Sequence, residues 1–187
     1  MTEPATSLLP VVRDSGCVVT YSVLAMQLPT LASLPEVPLP PAVSVQTVDV
    51  HDEGAAMSVE EALLVDVMHG GTDAASSRRD LPLEADALRH MPGVTLVAAV
   101  DAGGSCIATA GTRVVGRSAL VSAVATIPEF RGRGIAAALT TAALRAARDA
   151  GARRAFLDAS NGASVYARLG FAPIGRVTRC EREPDTG

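Results

Sequence analysis

The chain contains no lysine and no tryptophan, and its only Tyr and Phe residues are two tyrosines and three phenylalanines among 187 positions. So few rings leave little for bases to stack on, which argues against nucleic-acid binding. The three cysteines, Cys17, Cys106 and Cys180, are odd in number and widely separated. Without close CxxC pairs they do not suggest a zinc site and read as buried free thiols. His51, His69 and His90 show no ligand spacing either, so no metal is expected. No apolar segment approaches the roughly 20 residues that a membrane helix needs. Met1 to Asp14 carries Glu3, Arg13 and Asp14 around a short apolar stretch, without the basic start and long apolar run of a signal peptide. The expectation is a soluble cytoplasmic protein with no membrane partner. Because lysine is missing, all 16 basic residues are arginine, which reads as genome composition more than chemistry.

The hydrophobic content of 48% is enough for one sizeable core, and the length suits a single domain with an appendage. Charge is lopsided. Residues 1–99 hold 4 Arg against 13 Asp plus Glu, a net −9, whereas residues 100–187 hold 12 Arg against 7, a net +5. A basic second half suits a phosphorylated ligand.

Near the start, Gly16 to Met26 mixes β-branched residues with an aromatic, which predicts a strand. Five prolines from Pro29 to Pro41 then exclude regular helix or central strand and predict a semi-rigid linker, with the main domain starting near Ala42. Residues 1–41 are therefore read as an amino-terminal extension and 42–187 as the principal domain. Val43 to Val48 alternates as a half-buried strand does, and Asp49 to Met68 shifts toward helical spacing. Gly70 to Arg79 reads as loop, and Glu84 to His90 as a short helix. Three apolar runs follow, Val94 to Val100, Cys106 to Val115 and Ala119 to Ile127, separated by turns that specify an antiparallel meander. Ile135 to Ala150 predicts a helix with Ile135, Leu139, Ala142 and Ala146 on one face and Thr141, Arg145 and Arg148 on the other, ending at Gly151. Ala155 to Leu157, Ala163 to Leu169 and Phe171 to Val177 complete the order as strand, helix and strand. The fold class is α/β with a mixed sheet.

One loop carries chemistry. Arg131-Gly132-Arg133-Gly134 connects a strand end to the first turn of a helix, where unpaired backbone N–H groups and the helix dipole suit a phosphate anion. Glycine there lets ligand oxygens approach the main chain and tolerates positive φ. The bland alternative is a solvated arginine turn. A rival is the dinucleotide fingerprint, since Gly132-Arg133-Gly134-Ile135-Ala136-Ala137 satisfies GxGxxA and Asp158 follows about 20 residues later. Against it, Pro128 to Arg131 separates strand from glycine, too little chain follows Asp158 for a doubly wound sheet, and the preceding turns make antiparallel pairs.

Val124 to Ala136, with its Arg131-Gly132-Arg133-Gly134-Ile135-Ala136 core, resembles the acyl-CoA motif of the GNAT acetyltransferase superfamily. Val165-Tyr166-Ala167-Arg168-Leu169-Gly170-Phe171 is similar to that family's second signature, Tyr-x-x-x-Gly-Phe. The resemblance covers about residues 42 to 183. It implies a largely antiparallel mixed sheet flanked by helices, in which two strands splay and pantetheine pairs with backbone at Val124, Ala125 and Thr126. The family usually has an apolar residue where Thr126 stands. It further implies that Arg131, Gly132, Arg133, Gly134, Ile135 and Ala136 hold the pyrophosphate of acetyl-CoA, that Tyr166 protonates the departing sulfur, and that Asn161 or Ser160 touches the cofactor. Leu169 and Phe171 would position the tyrosine. The implied reaction is acetyl transfer to a primary amine of a small molecule or protein; a non-catalytic acyl-CoA-binding or interaction module is the competing reading. For the general base, Asp158, Glu129 and ordered water stay open. The family's sheet gains two strands after Gly-Phe, and this chain has room for little more than one. The strand from Cys17 to Leu28 is expected to fill that vacancy, within the chain or across a homodimer.

Overall fold

A computed structural model of the chain describes residues 9–52, 57–69, 74–160 and 162–182. The meander forms as its turns dictate. β2 (Ser44–Val48), β3 (Val94–Val100), β4 (Cys106–Val115) and β5 (Ser118–Thr126) pair antiparallel in sequence order. Between β3 and β4 the Asp101 carboxylate accepts the N–H groups of Gly103 and Ser105, both at 2.9 Å, folding the side chain over its own turn. After β5 a 3-10 turn (Pro128–Phe130) leads into α4 (Ile135–Asp149), which crosses back to β6 (Arg154–Ala159), parallel to β5. α5 (Ala163–Arg168) and β7 (Ala172–Arg182) follow.

β1 (Cys17–Leu28), preceded by the short α1 (Leu9–Asp14), lies between β6 and β7 and is antiparallel to both. The seven-stranded order is β2-β3-β4-β5-β6-β1-β7. The amino-terminal strand thus occupies the place next to β6 within the chain itself. The proline-rich residues 29–41 form no helix or strand, as their composition requires, yet they are packed down. Leu31 is fully buried and donates its N–H to the Arg153 carbonyl at 2.9 Å, while Leu34 and Val37 pack on the core. Arg145 of α4 donates to the Pro35 carbonyl at 3.2 Å.

Side-chain alternation on β3 separates two faces. Leu96, Ala98 and Val100 join the core under α2 (Val59–His69) and α3 (Ala74–His90), whereas Val97 and Ala99 join the core under α4. α2 starts later than periodicity suggests because Ser58 caps it, its hydroxyl accepting the Glu61 N–H at 3.0 Å. α3 corrects the reading of Gly70 to Arg79 as loop: Ala74 onward is helical and continues through Pro82 to His90, while residues 70–73 lie outside the described residues. Leu81, Ala85 and Leu88, at helical spacing, pack into the α2 core, and that burial outweighs the proline. On α4 the buried stripe is also rotated from the expected one: Ala138, Thr141, Ala143, Leu144 and Ala147 are buried, and Ala142 and Ala146 are only half-buried. β7 runs on to Arg182, beyond the predicted end at Val177, because β1 offers it a partner along that length.

Candidate functional site

β5 and β6 pair only at Ser118, Ala119 and Leu120 against Arg154, Ala155 and Phe156. Past that point the strands part. Opposite β4, Thr109 faces Ala125 and Gly111 faces Ser122, so Ala123 and Val124 together oppose Ala110, a β-bulge with Ala123 at φ 52°. The Thr109 hydroxyl donates to the Ala123 carbonyl at 2.8 Å and holds the bulge. Beyond it, the Ile127 N–H bonds to Ile107 of β4, so by alternation Thr126 presents its N–H and carbonyl away from β4, toward the gap.

A cleft of about 570 Å³ fills the gap. It is lined by Val124, Ala125 and Thr126 of β5, by Phe130, Arg131, Gly132, Gly134 and the first turn of α4, and by Gly162, Val165, Tyr166 and Arg168. Gly132 and Gly134 have φ of 74° and 81°, left-handed values that favour glycine, and a Cβ on either would point into open space. Gly134 caps α4. Among the described residues, no backbone acceptor takes the N–H groups from Gly132 to Ala137. A concavity of unpaired donors at a helix start, with room where side chains would be, suits a pyrophosphate. The arginines divide their work. Arg131 lines the cleft and donates from Nε to the Thr126 carbonyl at 2.9 Å. Arg133 is not among the residues lining the cleft; it donates to the Glu129 carbonyl at 3.0 Å and stacks 5.1 Å over the Phe130 ring.

Thr126 is 9% exposed, and its hydroxyl is buried without a hydrogen-bond partner. Such a group is costly unless something satisfies it. The residues present fit an acyl-CoA: a glycine cradle for its phosphates and, on β5, the Thr126 N–H directed away from β4 for an amide of its arm.

Tyr166 is placed by the local chemistry of its motif. α5 ends in a Schellman cap in which the Phe171 N–H reaches the Tyr166 carbonyl at 3.1 Å and the Gly170 N–H reaches Ala167 at 3.0 Å, with Gly170 at φ 93°. The two rings meet edge to face at 6.1 Å. Leu169 and Phe171 are buried in the same core. Burial, and then the negative charge of Asp66, raise the Tyr166 hydroxyl above its ordinary value, so it holds its proton at neutral pH.

Asp158 and Glu129 are both exposed and neither lines the cleft. Asn161 lies outside the described residues; Ser160 is exposed at the end of β6. Sequence reasoning missed Arg168, a second cation on the cleft wall two residues after Tyr166, and Asp66 of α2, a half-buried carboxylate whose proton affinity is raised by burial and by Glu84. The dinucleotide reading fails on topology. β5 is antiparallel to β4, and a 3-10 turn, not glycine, follows it directly. Among the described residues no group of His, Cys, Asp or Glu could hold a metal ion, and no helix is long and apolar enough to cross a membrane.

A comparison with curated proteins found no match. Among solved structures, a GCN5-related N-acetyltransferase from Kribbella flavida superposes with a TM-score of 0.71 at 20% identity, over 96% of this chain and 65% of that one. A GCN5-related N-acetyltransferase from Sphaerobacter thermophilus gives 0.63 at 19%, over 95% and 56%. A tandem GNAT protein from the clavulanic acid biosynthesis pathway gives 0.65 at 20%, over 94% and 58%. These share the fold, and the chain spans less than two thirds of their length. The family model described as acetyltransferase (GNAT) family matches residues 63–171, from α2 through the glycine cradle to Phe171, and the chain belongs to that family.

Proposed function

We propose that the chain is an acyl-CoA-dependent N-acetyltransferase that moves an acetyl group from acetyl-CoA to a primary amine by direct attack. The observation that carries this reading is one cleft lined both by the glycine cradle at the start of α4 and by Tyr166. In this reading Gly132, Gly134, Ile135 and Ala136 hold the pyrophosphate through backbone N–H groups, with Arg131 and Arg168 adding positive charge. Val124, Ala125 and Thr126 hold the pantetheine arm along the open edge of β5. The neutral amine nitrogen attacks the thioester carbon, the carbon–sulfur bond breaks, the Tyr166 hydroxyl gives its proton to the leaving sulfur, and a proton from the acylated nitrogen returns to the Tyr166 oxygen. A phenol that keeps its proton at neutral pH can do this. Residues 42–187 form the catalytic domain and residues 1–41 an extension completing its sheet. The site of action is the cytoplasm, where acyl-CoA is available.

The test is thiol release from acetyl-CoA in the presence of amines, for the wild type and Tyr166→Phe. Loss of general-acid assistance should lower kcat by about 10²- to 10⁴-fold while acetyl-CoA still binds. Equal kcat in both proteins would remove Tyr166 from this role.

A further inference from the structure

One face of the sheet is only half covered. On β4 the Thr112 hydroxyl donates to the Ala143 carbonyl of α4 at 3.4 Å, so Arg113 points to the α2 side. Ala119 and Val121 of β5, and Ala155 and Leu157 of β6, belong to the core that includes Leu144 of α4. By the same alternation Leu120, Arg154, Phe156 and Asp158 face the α2 side too. Register aligns Arg113, Leu120 and Phe156 in one row across β4, β5 and β6, and Gln27 of β1 continues it. α2 packs on β4 and β5, and α3 packs on α2; neither makes more than marginal contact with β6, β1 or β7. Leu120 is 48% exposed although β5 is paired on both sides, and Tyr21 and Val177 are open to solvent on the same face of β1 and β7. A parallel pair such as β5 and β6 is ordinarily covered on both faces, so an apolar strip left in water here marks a docking surface.

The helices that stop short of this strip present its counterpart. Leu81, Ala85 and Leu88 of α3 turn inward, which places Leu83, 71% exposed, on the outer side with Asp80 and Glu84. On α2, Leu64 and Glu61 are exposed. The charges are complementary. α2 and α3 together contain six acids against three arginines, and among the described residues Glu61 and Glu84 make no ion pair. The bare strip carries Arg113 and Arg154, likewise without an ion pair among the described residues.

The charges also agree in their level along the strands. α3 ends three residues before β3 begins at Val94, and Val94 is paired with Arg113. Glu60 in the first turn of α2 meets Arg89 in the last turn of α3 at 2.6 Å. The start of α2, with Glu61, therefore lies at the Arg113 end of the sheet. Arg154 lies at that end as well, paired with Ser118 two residues before Leu120.

We propose that the bare strip seats a second copy of this chain, in a symmetric dimer whose two-fold axis runs parallel to the strands. Rotation about such an axis turns the two faces toward each other and exchanges covered half for bare half, while every residue keeps its level along the strands. α2 and α3 of each protomer then cover β5, β6, β1 and β7 of the other. The partner's Glu61 stands at the level of Arg113 and Arg154, and the partner's Leu83 and Leu64 leave water for the strip of Leu120, Phe156, Tyr21 and Val177. A foreign acidic helix would cover the strip alone and leave Leu64 and Leu83 exposed; a second copy covers both at once. The glycine cradle opens at the start of α4, which packs on the opposite face, so pairing leaves it accessible.

Sedimentation velocity of the full chain over a range of micromolar concentrations tests this, with melting followed by circular dichroism to show that each variant is folded. The wild type should sediment as a dimer. Leu83→Glu, Arg154→Glu and Glu61→Arg should each raise the dimer Kd by about 10- to 100-fold, because every contact of a two-fold interface occurs twice. Combining Glu61→Arg with Arg154→Glu should restore most of the lost affinity. A folded wild type that stays monomeric at every concentration would overturn the proposal and assign the strip to a partner other than this chain. A dimer unchanged by Leu83→Glu and Arg154→Glu would place the interface elsewhere and overturn it equally. A double variant no tighter than either single one would overturn the register that faces Glu61 with Arg154.

Discussion

Gly134→Ala separates the two demands placed on the glycine cradle. Gly134 holds φ at 81°, and the added Cβ would meet no atom within 4 Å. The free protein therefore pays only the left-handed backbone cost of an L-residue, about 1–2 kcal/mol. At about 2–4 °C per kcal/mol for a domain of this size, the melting temperature should fall by roughly 2–8 °C. Gly151 offers a matched control. It sits at φ 101°, in the Schellman cap at the far end of α4, also with nothing within 4 Å of a Cβ. Gly151→Ala should lose similar stability. The two variants should differ in binding, because Gly134 lines the cleft and Gly151 does not. Displacing a phosphate oxygen from one or two backbone donors forfeits charged hydrogen bonds of about 1.5–3 kcal/mol, or roughly 10- to 150-fold in acetyl-CoA affinity. Calorimetric titration of both variants reads this directly. Equal affinity in Gly134→Ala, Gly151→Ala and the wild type would refute the assignment of the cradle.

Other outcomes follow from single contacts. Leu31→Ala should destabilise by about 2–5 kcal/mol in chemical denaturation, because Leu31 is fully buried beneath the proline-rich segment; a cost near zero would mean that residues 29–41 are not packed. Gly170→Ala combines φ 93° with a Cβ only 3.2 Å from Leu28 Cδ1, so it should cost at least about 1–2 kcal/mol and lower kcat by displacing Tyr166. For Asp66 the sign can be worked out. Its proton affinity is higher folded than unfolded, so its contribution to stability declines as pH rises from the ordinary carboxylate value through the raised one. Asp66→Asn should therefore melt like the wild type in acid and at a higher temperature at neutral pH; a lower neutral melting temperature would show that Asp66 supports the fold.

What the sequence disclosed divides by range. Gly132, Gly134, Gly151 and Gly170 were legible because each meets a local backbone demand that few other residues satisfy, and the Tyr-x-x-x-Gly-Phe signature is itself a helix cap with a ring contact. The buried stripe of α4 was misjudged because alanine marks a face weakly, and Thr140 and Thr141 hide their hydroxyls by bonding to carbonyls one turn back. Pro82 concealed the first half of α3, since only packing on α2 reveals why the helix continues. Asp66 stood among many acidic residues of the first half. Nothing local separates it from Glu60 or Glu61; its raised proton affinity comes from burial in the fold and from Glu84 on the neighbouring helix.

Acetyl-CoA carrying a ¹³C-acetyl group, incubated with the wild type and a panel of primary alkylamines and followed by mass spectrometry, tests the central claim most directly. Labelled amide should appear together with an equal amount of free CoA. Bound acetyl-CoA that yields neither, with every amine, would contradict transfer and leave a binding module built on the same cleft.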